Sequence, residues 1–141
     1  MIANQDAVKN LIPQKAPFVM VHELVAYTEE NLHARFTVNN TNIFVYNNQF
    51  QESGIIEHMA QAVALHTGYQ FFLMNKPAPT GYLGSIKNIE ITRLPKLEEV
   101  LDTKVSILQE FMGITLVEIE VKINDELIAK GQMKTVLAKE E

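Results

Sequence analysis

The chain has no cysteine, which excludes a disulfide framework, a thiolate nucleophile and a cysteine-bound zinc. Positive charge is also scarce. Its 12 Lys and Arg stand against 17 Asp and Glu, a net charge of −5, and they do not gather into a basic stripe. Nucleic-acid binding, which requires such a stripe to neutralise phosphates, is not indicated. The opening segment MIANQDAVKNLIPQK lacks the charged start, apolar core and small-residue cleavage site of a secretory signal, so a cytoplasmic location is expected. Internal repeats, low-complexity tracts and linkers are missing too. A length of 141 residues then fits one domain over 1–141, burying roughly two-thirds of its unfolded surface.

No long apolar run is free of polar residues. The best, GIIEHMAQAVALHTGYQFFLM over residues 54–74, is interrupted by Glu57, His58, Gln61, His66 and Gln70. A carboxylate in mid-membrane is costly, so this segment is not expected to span a bilayer. Ile55, Ile56, Met59, Ala60, Val63, Ala64, Leu65 and Phe72 cover most of its circumference as a helix, and a helix apolar nearly all round is a buried one. Pro77 and Pro79 are expected to close it. Most of the remaining chain alternates as strands do. Val117, Ile119, Val121 and Ile123 oppose Glu118, Glu120 and Lys122; Leu32, Ala34, Phe36 and Val38 oppose His33, Arg35 and Thr37. Further strands are expected near 18–27, 83–93, 101–110 and 127–137, with turns at 29–31, 111–113 and 124–126. Asp6 is positioned to cap a short helix over 7–11 that ends before Pro13. One helix needing cover and about six one-faced strands are satisfied together by an antiparallel sheet curled around the helix. A helix half wrapped by its own sheet calls for a dimer partner.

Glu57 and Gln61 stand four residues apart and share one face of this apolar helix. On a solvated face the pair carries no chemistry. Among Ile55, Ile56, Met59 and Ala60, a buried carboxylate is either paired or kept for proton transfer.

At three places the sequence resembles the β-hydroxyacyl-[acyl carrier protein] dehydratases. Leu11-Ile12-Pro13 followed by Pro17-Phe18-Val19-Met20-Val21 resembles their LPHRxPFLLVD signature. Ile55 to Ala62 is similar to their helix motif IxEAMAQA, and Tyr82 to Asn88 to their FAGIDN strand. The dehydratase-like proteins of bacterial aryl polyene and flexirubin pigment clusters are similar as well. The resemblance implies a hot-dog fold, α+β, with about six strands around one central helix, and an activity on 3-hydroxyacyl thioesters in fatty-acid or polyene biosynthesis. It implies an acyl carrier protein or coenzyme A thioester as substrate, no cofactor and no metal, and a homodimer or a mixed dimer with another hot-dog subunit. Glu57 would be the catalytic carboxylate, with Gln61, Gly54, Phe50, His58 and His22 about the substrate.

In that family a histidine of an HFPGxP loop removes the α-proton, and here the ungapped position holds Ile43. Gln14 replaces the histidine of the N-terminal signature. His58, about 100° around the helix from Glu57, reads as a core or dimer-contact histidine or as a substitute base. His22 reads as a hydrogen-bonded structural residue or as that base, His33 as solvated and His66 as core or interface. His58 and His66 are not spaced as paired helical metal ligands. Lys87, Arg93 and Lys96 are either solvated or a patch for an acidic carrier protein. Tyr46, Phe50, Tyr69, Phe71 and Phe72 are core residues or the walls of an acyl tunnel. Three readings therefore stand side by side. They are a dehydratase-like enzyme, a thioesterase in which the carboxylate activates water or attacks the thioester, and a non-catalytic acyl-binding partner subunit.

Overall fold

The computed structural model describes residues 1–138. A short helix, α1 (Gln5–Val8), precedes strands β1 (Glu23–Tyr27) and β2 (Asn31–Thr37) and a small hairpin, β3 (Val45–Tyr46) and β4 (Gln49–Phe50). The long helix α2 (Glu52–Leu73) follows, then β5 (Gly81–Ile91), β6 (Val100–Phe111), β7 (Ile114–Ile123) and β8 (Glu126–Leu137). The six longer strands form one antiparallel sheet in the order β1-β2-β6-β7-β8-β5, with α2 packed against one face.

The alternation in sequence becomes the two faces of this sheet. Leu32, Ala34, Phe36, Leu101, Val105, Val117, Ile119, Val121 and Met133 turn inward and are buried against Ile55, Met59, Ala62 and Leu65 of α2. The outward residues form rows of alternating charge. Glu23 lies opposite Arg35, Arg35 opposite Asp102 and Asp102 opposite Lys122. A second row sets Lys104 against Glu120, Glu120 against Lys130 and Lys130 against Glu90. Opposite charges across strands contribute roughly 0.2–1 kcal/mol each and keep this face wet.

Local conformations explain the element ends. Asn47–Asn48, Met112–Gly113 and Asn124–Asp125 are turn pairs with both φ positive, the arrangement whose twist matches the strands it joins. The hairpin around Asn47–Asn48 has no apolar alternation and was not legible as strand. Helix α2 starts two residues earlier than expected and stops before the prolines. Asn75, at φ 56°, ends it: the Asn75 N–H donates to the Phe72 carbonyl and the Lys76 N–H to the Phe71 carbonyl, both at 3.0 Å. This left-handed cap satisfies the last carbonyls locally, so Pro77 and Pro79 only prevent continuation. Asn4 caps α1 in place of Asp6, its Oδ1 accepting the Ala7 N–H at 3.1 Å, and the helix ends at Val8.

The strand expected near 18–27 begins only at Glu23, because side chains of α2 take the backbone groups of the preceding segment. Gln61 Oε1 accepts the Met20 N–H at 2.6 Å and its Nε2 donates to the Phe18 carbonyl at 2.7 Å. His58 Nδ1 donates to the Met20 carbonyl at 2.6 Å. Two glycines allow the helix to approach its neighbours this closely. A methyl at Gly68 would overlap the Leu11 carbonyl, and one at Gly54 the Phe50 ring. Among the described residues no helix is long and apolar enough to cross a membrane.

Candidate active site

Glu57 and Gln61 meet as their spacing requires: Gln61 Nε2 donates to Glu57 Oε1 at 2.9 Å. Gln61 is wholly buried and its amide is fully committed, to Phe18, Met20 and Glu57. It fixes the rotamer of the carboxylate and has no N–H left to donate to a substrate. Glu57 itself is half-buried. It has no cation within ion-pair distance among the described residues.

The carboxylate lines a groove of about 220 Å³. Leu11, Pro13 and Gln14 form one wall, α2 the floor, and Pro79, Tyr82, Leu83 and Leu137 the other wall. A second cavity of about 210 Å³ continues toward the C-terminal turns of α2, past His66, Phe71 and Met74. The two share Val63, Thr67, Thr135 and Leu137. Together they make a channel with Glu57 in its apolar first part and His66, Gln70 and Glu110 lining its more polar second part. Sequence reasoning missed these walls, although a signal was present. From Glu57, the residues at i+3, i+7 and i+10 are Ala60, Ala64 and Thr67, a stripe of small side chains on the carboxylate's own face.

A broader concavity of about 600 Å³ lies on the outer face, over His33, Arg35, Asp102, Lys104 and Lys122. Its Asp102 is engaged by two neighbours. Asp102 Oδ1 accepts from Arg35 Nε at 2.8 Å and pairs with His33 Nε2 at 2.7 Å, and the sheet separates it from Glu57.

None of the four histidines lines the groove. His58 is wholly buried, and with Nδ1 donating to Met20 its Nε2 accepts from the Thr103 hydroxyl at 2.6 Å. Desolvation, only partly opposed by the Met20 hydrogen bond, lowers its pKa to about 4. His22 Nδ1 accepts the Thr37 N–H at 3.1 Å and its ring packs on Phe36 at 4.5 Å, burial again lowering its pKa. His66 bonds the Thr28 carbonyl at 2.9 Å. Ile43 is exposed in the loop before β3 and does not border the groove. Phe50 is buried against Phe36, 5.3 Å between ring centroids, and Gly54 lies beneath it. Tyr46 and Phe72 are exposed, and Tyr69 packs on Tyr27.

Of Lys87, Arg93 and Lys96, the arginine is engaged within the chain. Arg93 is bound in a fork to Glu99, at 2.9 and 3.1 Å, and to Glu126 at 3.2 Å. That pairing raises the arginine pKa and lowers that of Glu99. It joins the end of β5 to the turn before β6.

The sheet, the enclosed helix and the helix-borne carboxylate in a mostly apolar groove define a hot-dog protein. Residues 6–141 match the ApeP-like family, described as ApeP dehydratase, and the chain belongs to that family. Its fold is similar to a chain of the dehydratase heterocomplex ApeI:P from Xenorhabdus doucetiae, with a TM-score of 0.87 at 19% identity over 94% of this chain and 91% of that one. It is also similar to a hypothetical thioesterase from Streptococcus pneumoniae solved with coenzyme A (TM-score 0.67, 12% identity, 84% and 87% covered). The PaaI protein of the Escherichia coli phenylacetic acid degradation operon is similar too (TM-score 0.66, 11% identity, 81% of each chain). No curated protein sequence matches this chain.

Proposed function

We propose that this protein is a dehydratase-type subunit acting on 3-hydroxyacyl thioesters, carried by an acyl carrier protein or coenzyme A, in fatty-acid or polyene biosynthesis. The observation that carries the reading is a carboxylate, Glu57, held by Gln61 in a mostly apolar groove that no histidine borders. Glu57 acts as general acid and protonates the β-hydroxyl as it departs. The unpaired N–H groups of the first turn of α2 are suited to polarise the thioester carbonyl. Removal of the α-proton needs a base, and the histidines of this chain are engaged or remote. The base therefore comes from a second hot-dog subunit, and the chain works as a dimer, mixed in its active form. The dehydratase heterocomplex among its structural neighbours supports such a pairing.

The experiment follows the loss of water from a 3-hydroxyacyl thioester by the protein alone and with a histidine-bearing hot-dog partner. The protein alone is expected to be slow or inactive, and mixing is expected to produce activity. Glu57→Gln keeps the shape and removes the titratable proton, so it is expected to lower the activity gained on mixing by roughly a hundredfold or more. Efficient dehydration by the pure protein, or an unaffected Glu57→Gln mixture, would overturn the assignment. A second reading is favoured by the same missing base: a carboxylate alone can activate water against a thioester. Release of free thiol from a saturated acyl thioester would identify that thioesterase.

A further inference from the structure

The channel changes character where its two cavities meet. Leu11, Pro13, Ala60, Ala64 and Leu83 line the first part, beside Glu57. Thr67 of α2 and Thr135 of β8 border both cavities. Beyond them the walls include His66, Gln70, Glu110 and Thr115. The register of the sheet explains the step. On the face turned toward α2, Ile107 lies opposite Val117 and Val117 opposite Met133, an apolar row packed into the core. The next row on that face sets Glu110 against Thr115 and Thr115 against Thr135. Among the described residues, the side chains of Thr67, Gln70, Glu110, Thr115 and Thr135 hydrogen-bond to no other group, and none of their polar atoms is shut off from solvent. Water serves them.

An alkyl chain gains from each methylene buried against apolar walls. Against the polar row it strips water from groups that it cannot hydrogen-bond, and that cost offsets the gain. We propose that the row Glu110–Thr115–Thr135, with Thr67 and Gln70 across the cavity, is a stop for the hydrocarbon chain. Affinity rises with acyl length as far as Thr67 and levels off beyond it. The inference rests on the acyl-thioester reading of the groove given above, which puts carbon 3 at Glu57. Thr67 lies ten residues further along α2, about 15 Å. An extended chain advances about 1.2 Å per bond, so the stop is reached about twelve bonds on, near the fifteenth carbon.

The test measures binding, by calorimetry, of a ladder of saturated acyl-coenzyme A analogues with an amide nitrogen in place of the thioester sulfur. The ladder runs from octanoyl to eicosanoyl in two-carbon steps, each probe kept below its micellar concentration. In the wild type each step up to tetradecanoyl should tighten binding about four- to tenfold, the scale of two methylenes buried in a half-open groove. Each step beyond hexadecanoyl should change it by less than about twofold. Glu110 and Thr115 line only the second cavity. Glu110→Leu and Thr115→Val, made separately, remove polar atoms from the row and should each restore at least about a threefold gain per step beyond hexadecanoyl. Octanoyl affinity, measured on each variant, reports whether its fold and first cavity are intact, and two variants guard against one that folds poorly. A wild type whose affinity climbs steadily to eicosanoyl, or levels off before dodecanoyl, overturns the inference alone. So does a break that neither variant moves, since a stop made by shape is indifferent to the polar atoms. If no member of the ladder binds the wild type, the acyl-thioester reading fails and takes the inference with it.

Discussion

Three polar residues of α2 look alike in sequence and do different work. Glu57 faces the groove, Gln61 holds it and ties down the chain from Phe18 to Met20, and His58 connects Met20 to Thr103. His58 is the clearest case of a residue whose environment sets its chemistry. Its pKa is about 4 when folded, against 6.5 for the unperturbed group. The unfolded chain thus binds a proton more readily between these values, and acid favours unfolding there. The stabilisation from a neutral His58 is complete above about pH 6.5 and declines as pH falls toward 4, by a total on the order of 3 kcal/mol. Urea titrations at several pH values should show this slope. His58→Asn should be less stable at neutral pH and show a smaller slope, the remainder coming from His22 and His66, whose pKa values burial also lowers. An unchanged slope would mean that His58 does not titrate across folding.

Helix α2 is built around close approach. Gly68 is a poor helix former in isolation, and alanine at an exposed helical position would be favoured by about 1 kcal/mol. Here the added methyl would enter the Leu11 carbonyl, a backbone atom that cannot swing aside. The segment carrying Leu11 also forms one wall of the groove. Gly68→Ala is therefore expected to lower stability by about 2 kcal/mol, the scale of overpacking. Denaturant unfolding checks this, and a stabilised variant would show that propensity outweighs the clash. The strand at 18–22 fails to form for a related reason. Its alternation was plausible, but a strand exists only where a neighbouring strand takes its hydrogen bonds, and at Phe18 and Met20 helix side chains take them first, β2 being reached only at His22.

For the whole molecule, the argument concerns surface left uncovered. Strand β5 is a sheet edge with Tyr82, Leu83 and Ile86 exposed. At the far end of the sheet and helix, Phe72, Leu73, Met74, Phe111 and Met112 are exposed as well. An edge strand with apolar side chains is a ready site for another chain. Under the dimeric reading, light scattering at micromolar concentration should give twice the chain mass, and Ile86→Lys, outside the groove, should shift it toward monomer. A wild type that is already monomeric, or a lysine variant that dimerises unchanged, would count against pairing through this edge.

The pattern along the chain was sufficient for the hot-dog fold, because strand period and all-round helical apolarity leave few arrangements that bury both. It was sufficient also for the Glu57–Gln61 contact, which follows from four residues of helix. Turn residues marked the hairpins at 112–113 and 124–125, where positive φ favours Gly, Asn and Asp. What remained hidden depended on partners distant in sequence. Asn4 starts α1 through its side-chain oxygen and Asn75 ends α2 through a left-handed backbone, roles that composition only permits. His58 could have been core or base until Met20 and Thr103, 38 and 45 residues away, took both its nitrogens. Gln14 was a mere replacement for a motif histidine until folding shut its oxygen off from solvent and left it without a partner. Local periodicity fixes which face of an element is apolar, but the satisfaction of a polar atom depends on what the rest of the chain brings to it, and only the tertiary structure decides that.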